Sequence, residues 1–478
     1  MDKYAYEGYI RPGRVFGEIY FVGVRKASTH VIKTEEGLIV IDPGMPDTME
    51  IVFDNMRELG LDPRDTKWIL LSHGHYDHAG GVKAFKAISD CKVYIGEGDL
   101  AMVRGDEDTA LSKDPNYRNL YSFEPDGLLK EEEPLSFGGI HLRCLATPGH
   151  SAGTMSLFFE IPFEGKLYLA GMHGGVGLNT LSKEFLEKNH LPLSTRDIFR
   201  KGLMRAAEEP VEIFLGNHIG NNDTIGKLER VRAGEKMAFY APAEWKAFLK
   251  NTAEGLNELE RKEDKMEKTI ERILEHQIIT IVRGVAKEKL IPLAEAMYAG
   301  GIRLMECTFN SKGETPDEEV AANIQMLAEH FGERMLIGSG TVLTERQVEL
   351  TAKAGGKFII SPNFDPAIVK KTKKCNLVSI PGIFTPSEAV AAVQAGADFV
   401  KLFPMGALGP KYLKDLTVPL SHIRFLAVGG VNAENLKDHR DAGACGYGIA
   451  SEIVHKPSIE KGDFEAITQR ALKLTSQL

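Results

Sequence analysis

The C-terminal half of the chain carries eight short apolar runs, IITIV, LMECTF, MLIGSG, FIIS, LVSIPG, FVKLFP, FLAVGG and GYGIA, separated by amphipathic stretches. They begin about every 20 to 30 residues, the spacing expected when each parallel strand is followed by a crossover helix and the sheet closes on itself. Few architectures satisfy that rhythm, and it predicts a (β/α)8 barrel over 268–478. The first half follows another pattern. GEIYFVG, STHVIKTEEGLIVIDPG, KWILLSHG, CKVYIGEG, HLRCLATPGH, KLYLAGM and VEIFLGNH read as strands broken by glycine and proline, with helix-like runs between some of them, a layered α/β unit over 1–250. Residues 251–267 are rich in charge and in good helix formers, which predicts a solvated linking helix. Leu256, Leu259, Met266, Ile270 and Ile273 fall on one helical stripe, so a dimerisation helix stays open as the alternative.

The 478 residues suffice for two or three domains, and the mildly acidic net charge of −9 disfavours a nucleic-acid backbone as partner. Five scattered cysteines with no C-x-x-C spacing argue against a disulfide framework or a cysteine metal site. With no leader-like N-terminus and no membrane-length apolar run, the expectation is a cytoplasmic protein without a membrane partner.

Chemistry concentrates at two places. SHGHYDHAGG sets His73, His75, Asp77 and His78 within six residues, directly after the apolar run KWILLS. Alternate positions of an extended stretch face one way, so His73 and His75 can serve one cation while Asp77 and His78, on the following turn, serve a second. His150 in TPGHS and His218 in GNH each stand just beyond a strand-like run and fit the same plan. Imidazole and carboxylate suit Zn2+ or a similar divalent ion, which lowers the pKa of a bound water to about 7 and polarises a carbonyl oxygen. His30, His141, His190 and His330 lie outside the pattern and read as structural.

The string His73-x-His75-x-Asp77-His78, with TPGHS and GNH, resembles the metallo-β-lactamase superfamily over about residues 13 to 240. The resemblance implies an αββα sandwich, one zinc on His73, His75 and His150, a second on Asp77, His78 and His218, and Asp42 of the DPG turn as an orienting carboxylate. It implies hydrolysis of a lactone or other ester, with Asp77 orienting the attacking water or moving its proton. Where many members carry a metal-bridging aspartate, this chain has Met172, and the adjacent His173 reads as a substitute ligand or an exposed loop residue.

The second place is FVKLFP, where Lys401 interrupts an apolar strand. Both faces of a barrel strand are buried, so an inward Lys401 would be desolvated, neutral and nucleophilic, as Schiff-base formation with a ketone requires. Arg283, Glu306, Thr341, Pro362 and Phe403 fall at strand ends on the expected active-site side, and a buried Glu306 could shuttle protons. Gly429 and Gly430, with Gly446 and Gly448, are expected to follow strands seven and eight and to cradle an anion with backbone N–H groups.

IVRG, GGIRLMECTFNS, GSGTVL, ISPNFDP, SIPGIFTPSEA, VKLFP and AVGGVN resemble the 2-keto-3-deoxy-6-phosphogluconate/4-hydroxy-2-oxoglutarate aldolase family. That implies a class I aldolase, commonly trimeric, releasing pyruvate and an aldehyde from a 2-oxo sugar acid. Lys401 would be the Schiff-base lysine, Glu306 the general acid/base, and Thr341 with the Pro362 turn the carboxylate site. Asn310 stands as in the phosphogalactonate-type branch, and Ile449 stands where a serine is usual, which weakens the case for a phosphorylated substrate. The joint expectation is a bifunctional enzyme, a metallohydrolase fused to an aldolase, with one or two Zn2+ ions and no organic cofactor. A thioesterase-like hydrolase or a non-catalytic metal module remains the alternative for the first unit.

Overall fold

The computed structural model describes residues 6–310 and 312–478, which divide between Glu260 and Arg261 into two compact units. No helix among the described residues is long and apolar enough to cross a membrane.

The first unit stacks two sheets. One has seven strands in chain order, Gly13–Phe16, Ile19–Phe21, His30–Lys33, Leu38–Ile41, Thr66–Leu70, Lys92–Gly96 and Gly127–Leu129; its first four strands pair antiparallel and the rest parallel. The other runs Ile213–Phe214, Lys166–Met172, Met155–Phe163, Ile140–Ala146 and Leu135–Phe137. Phe21, Ile39 and Leu70 meet Leu142, Leu157 and Phe159 between the sheets. Outside, helix Met49–Glu58 sends Val52 and Met56 against Val40 and Ile69, while helix Thr195–Ala207 sends Phe199 and Leu203 against Phe158 and Phe214. Apolar residues on both faces of each sheet thus require a helix layer on each side, the αββα sandwich expected. The longest strand, Met155–Phe163, is absent from the strands read from sequence. Its first five residues are all buried, so it shows no two-residue alternation.

In the second unit the eight barrel strands are Ile278–Val282, Leu304–Thr308, Leu336–Gly340, Phe358–Ile360, a fifth in two pieces (Val378–Ile380 and Gly382–Ile383), Val400–Leu402, Phe425–Val428 and Gly446–Ile449. All pairings are parallel, and the first strand bonds the last. The fifth is split at Pro381, one half pairing with the fourth strand and the other with the sixth, so the ring closes through one stretch of chain. Ile279, Leu304, Phe358, Phe399 and Leu426 fill the floor of the interior. Two residues further along the same faces stand Glu306, above Leu304, and Lys401, above Phe399.

The expected linking helix is part of a longer one, Pro242–His276. It is not solvated all round. Trp245, Leu249 and Leu256 are buried in the core of the first unit, whereas Ile270 and Ile273 join the barrel-floor cluster of the second, with Met266 packed against it. The stripe that suggested a dimer contact is consumed within the two cores.

Candidate functional sites

The histidine cluster sits where strands of the first unit end. Strand Thr66–Leu70 leads into His73 and His75, and His78 lies in the short helix Tyr76–Ala79. His150 follows Ile140–Ala146, and His218 follows Ile213–Phe214. The ligand atoms of His73, His75 and His150 lie within 4.8 Å of one another, and so do those of Asp77, His78 and His218. These are the two triads expected.

Hydrogen bonds on the outer side of the His73, His78, His150 and His218 rings fix which nitrogen faces inward. Ser72 Oγ donates to Asp42 Oδ2 at 2.6 Å, so its lone pair accepts the Nδ1 hydrogen of His73 at 3.0 Å. His73 Nε2, fully buried and without a hydrogen-bond partner, then holds a lone pair. His78 Nδ1 donates to Asp42 Oδ2 at 2.9 Å, His150 Nδ1 to the Gly177 carbonyl at 2.8 Å, and His218 Nδ1 to the Lys26 carbonyl. His78 Nε2 and His218 Nε2 consequently oppose lone pairs at 3.2 Å, an arrangement that a shared cation resolves. Burial, aided by neighbouring imidazoles, holds His73 and His75 well below the usual histidine range, and burial pushes His150 down to about 4. Burial also lowers His78, but Asp42 outweighs it and raises the ring. The cluster is therefore a set of largely neutral imidazoles whose donor atoms and carboxylate fit one or two divalent cations.

Two features escaped the sequence reading. Asp99 is buried and accepts from the Gly74 N–H at 2.8 Å, the Gly153 N–H at 2.7 Å and Ser151 Oγ at 2.7 Å, tying the His73–His75 loop to the His150 loop. His173 is not an exposed loop residue: it is fully buried, pushed down to about 3 by desolvation, and belongs to neither triad. Met172 is absorbed in the core between the sheets.

In the barrel, Arg283, Glu306, Thr341, Pro362, Lys401, Phe403, Gly429, Gly430 and Gly448 all line one cavity of about 610 Å3. Lys401 is 7% exposed and Glu306 2%. Desolvation lowers the Lys401 ammonium below its ordinary range, opposed by Glu306 and assisted by Arg283. The same burial raises the Glu306 carboxyl against the pull of Lys401 and Arg283. Lys401 Nζ lies 5.0 Å from the centre of the Phe403 ring. Arg283 Nη2 donates to Thr341 Oγ1 at 3.3 Å, and Thr341 is held at a φ of 55°. A methyl group added at Gly340 would overlap Glu306 Oε1, so the GSG run is what leaves room for the carboxyl. At Gly430, φ is 86° and a Cβ would lie 2.7 Å from Gly406 Cα.

One expectation fails. Gly446 and Gly448 lie inside strand eight rather than after it, and Gly446 pairs with Leu426 at the barrel floor, away from the cavity. Ile449 is buried in the layer between strands and helices. The wall beyond strand eight is formed instead by Ser451, Glu452, His455 and Lys456, none of which the sequence reading singled out.

Two family models match the chain, one within each unit. The KDPG and KHG aldolase family model matches residues 269–470. A probable 2-dehydro-3-deoxy-6-phosphogalactonate aldolase of Rhizobium meliloti (strain 1021) is 34% identical over 200 residues, 42% of this chain and 90% of that protein. The chain belongs to the KDPG and KHG aldolase family. A second member, 2-dehydro-3-deoxy-6-phosphogalactonate aldolase of Escherichia coli (strain K12), is 35% identical over 37% of this chain and 83% of its own. The metallo-beta-lactamase superfamily model matches residues 22–162, which contain five of the six triad residues. Among solved structures, the native FEZ-1 metallo-beta-lactamase from Legionella gormanii covers 54% of this chain and 98% of its own at 26% identity, with a TM-score of 0.48.

Proposed function

We propose that this member of the aldolase family is bifunctional: its barrel cleaves a 2-keto-3-deoxy sugar acid to pyruvate and an aldehyde, and its sandwich hydrolyses a lactone or other ester. The observation that carries the aldolase reading is a desolvated lysine and a desolvated carboxyl facing one cavity, Lys401 and Glu306.

Lys401 Nζ, as the free amine, adds to the C2 ketone; loss of water leaves a protonated imine that acts as an electron sink. Glu306 as carboxylate takes the proton of the C4 hydroxyl, the C3–C4 bond breaks, and its electron pair moves into the imine to give an enamine while the aldehyde departs. Glu306 then returns its proton to C3, and water releases pyruvate and the amine. Arg283 and Thr341 bind the substrate carboxylate, with the Pro362 turn beside them; Phe403 packs against the lysine and the Gly429–Gly430 turn borders the tail.

In the sandwich, His73, His75 and His150 would hold one Zn2+ and Asp77, His78 and His218 another. Zinc bound there supplies Lewis acidity toward a carbonyl oxygen and lowers the pKa of water to about 7. Asp77, partly exposed beside His78, orients the attacking water and carries its proton, while Asp42 holds His78 and, through Ser72, His73. The proposed setting is the cytoplasm, with small sugar acids rather than nucleic acid or membranes as partners and a homotrimer formed through the barrel. All five cysteines are free thiols, consistent with a reducing compartment.

Chelation separates the two activities. Removing divalent metal should abolish opening of a sugar-acid lactone and leave pyruvate release intact. Metal-independent lactone opening would overturn the hydrolase assignment, and metal-dependent pyruvate release would overturn the Schiff-base assignment.

A further inference from the structure

The loop of His73 and His75 and the loop of His150 follow strands of different sheets, yet His75 Nδ1 and His150 Nε2 come within 3.1 Å of each other. A cation site tolerates about 0.5 Å of slack, so two loops arriving from separate layers need a joint. Asp99 forms it. Its buried carboxylate takes the Gly74 N–H at 2.8 Å and the Ser151 hydroxyl at 2.7 Å on Oδ2, and the Gly153 N–H at 2.7 Å on Oδ1. Gly74 stands between His73 and His75, and Ser151 directly follows His150. The approach is close enough to require glycine: a Cβ at Gly96 would overlap the Gly153 carbonyl oxygen, and one at Gly153 the Asp99 amide nitrogen.

The second triad is held from elsewhere. Asp42 accepts from His78, the Lys26 carbonyl accepts from His218, and Asp77 shares the short helix Tyr76–Ala79 with His78. The three hydrogen bonds of Asp99 all end on the loops that carry His73, His75 and His150.

We infer that Asp99 is a positioning residue for one cation of the two: it sets the gap between His75 and His150, and with it the affinity of the His73–His75–His150 triad, while the Asp77–His78–His218 triad is independent of it. The inference rests on the metal reading of the histidine cluster given above.

Its test is zinc affinity of the full chain, measured against a chromogenic chelator with one triad disabled at a time: His218→Ala leaves the first triad intact, and His150→Ala the second. Asp99→Asn keeps the shape of the side chain, but whichever way the amide turns, its NH2 group faces a backbone N–H. Added to His218→Ala, it should weaken zinc binding about 10- to 100-fold. Added to His150→Ala, it should leave binding unchanged. Ser151→Ala removes one of the three hydrogen bonds and should act in the same direction more weakly, which keeps the test decisive should Asp99→Asn fail to fold. Equal weakening in both backgrounds would make Asp99 a general support of the sandwich, and no weakening in the first would make the joint irrelevant; either result overturns the inference and leaves the metal reading standing. Absence of zinc binding by the unsubstituted chain would overturn both.

Discussion

The two pockets shift their titratable groups by different means. In the sandwich, imidazoles are buried side by side and their outer nitrogens are tied to Asp42, Ser72, Gly177 and Lys26, so that inward lone pairs are aimed at one region. In the barrel, an amine and a carboxyl face a cavity from opposite strands, and desolvation is the largest influence on each. Under the proposed function the first arrangement prepares ligands for a cation, and the second a nucleophile and a proton carrier. Neither needs the other's chemistry, and that independence is what substitutions can break.

The largest effect is expected from Lys401→Ala, which should reduce pyruvate release to the uncatalysed background while the metal content, measured by elemental analysis, stays at the wild-type level. Loss of metal together with cleavage would show that the pockets are coupled. Glu306→Gln keeps the shape of the carboxyl and removes its proton transfer, so cleavage should fall by about 10²- to 10⁴-fold with trapping of pyruvate retained. Equal loss of trapping would move Glu306 from proton transfer to imine formation.

On the other side of the comparison, Asp42→Ala releases His78 and the Ser72–His73 pair. Metal affinity, read by competition with a chromogenic chelator, should weaken about 10- to 100-fold, with aldol cleavage unaffected. The smallest effect is on pH. Because burial lowers Lys401, its free-amine fraction rises with pH through a midpoint below 10.5, the ordinary lysine value. The rate of imine formation with pyruvate should therefore level off below that pH, and a rise that continues past it would show a solvated lysine.

Much of the histidine cluster was legible because four of its six candidate ligands occupy His73 to His78, where two-residue alternation and one turn decide which way side chains face. Lys401 and Glu306 were legible for a related reason, each being a polar break in an apolar strand of known period. Asp99 was not, because its partners Gly74, Ser151 and Gly153 are brought together only by sheet packing. His173 misled because a histidine in a glycine-rich stretch carries no local mark of burial. Gly446 was misplaced because GYG resembles a turn, while strand pairing with Leu426 decides its level in the barrel. The Ser451–Lys456 wall was missed for want of any periodic signal, and the buried stripe of helix Pro242–His276 was mistaken for a free surface since each half finds a different core.

The most direct test is to reduce the enzyme with borohydride in the presence of pyruvate and map the modified peptide by mass spectrometry. The pyruvate-derived mass should lie on the peptide carrying Lys401 and vanish in Lys401→Ala. An adduct on another lysine, or none in an enzyme that still releases pyruvate, would contradict the account.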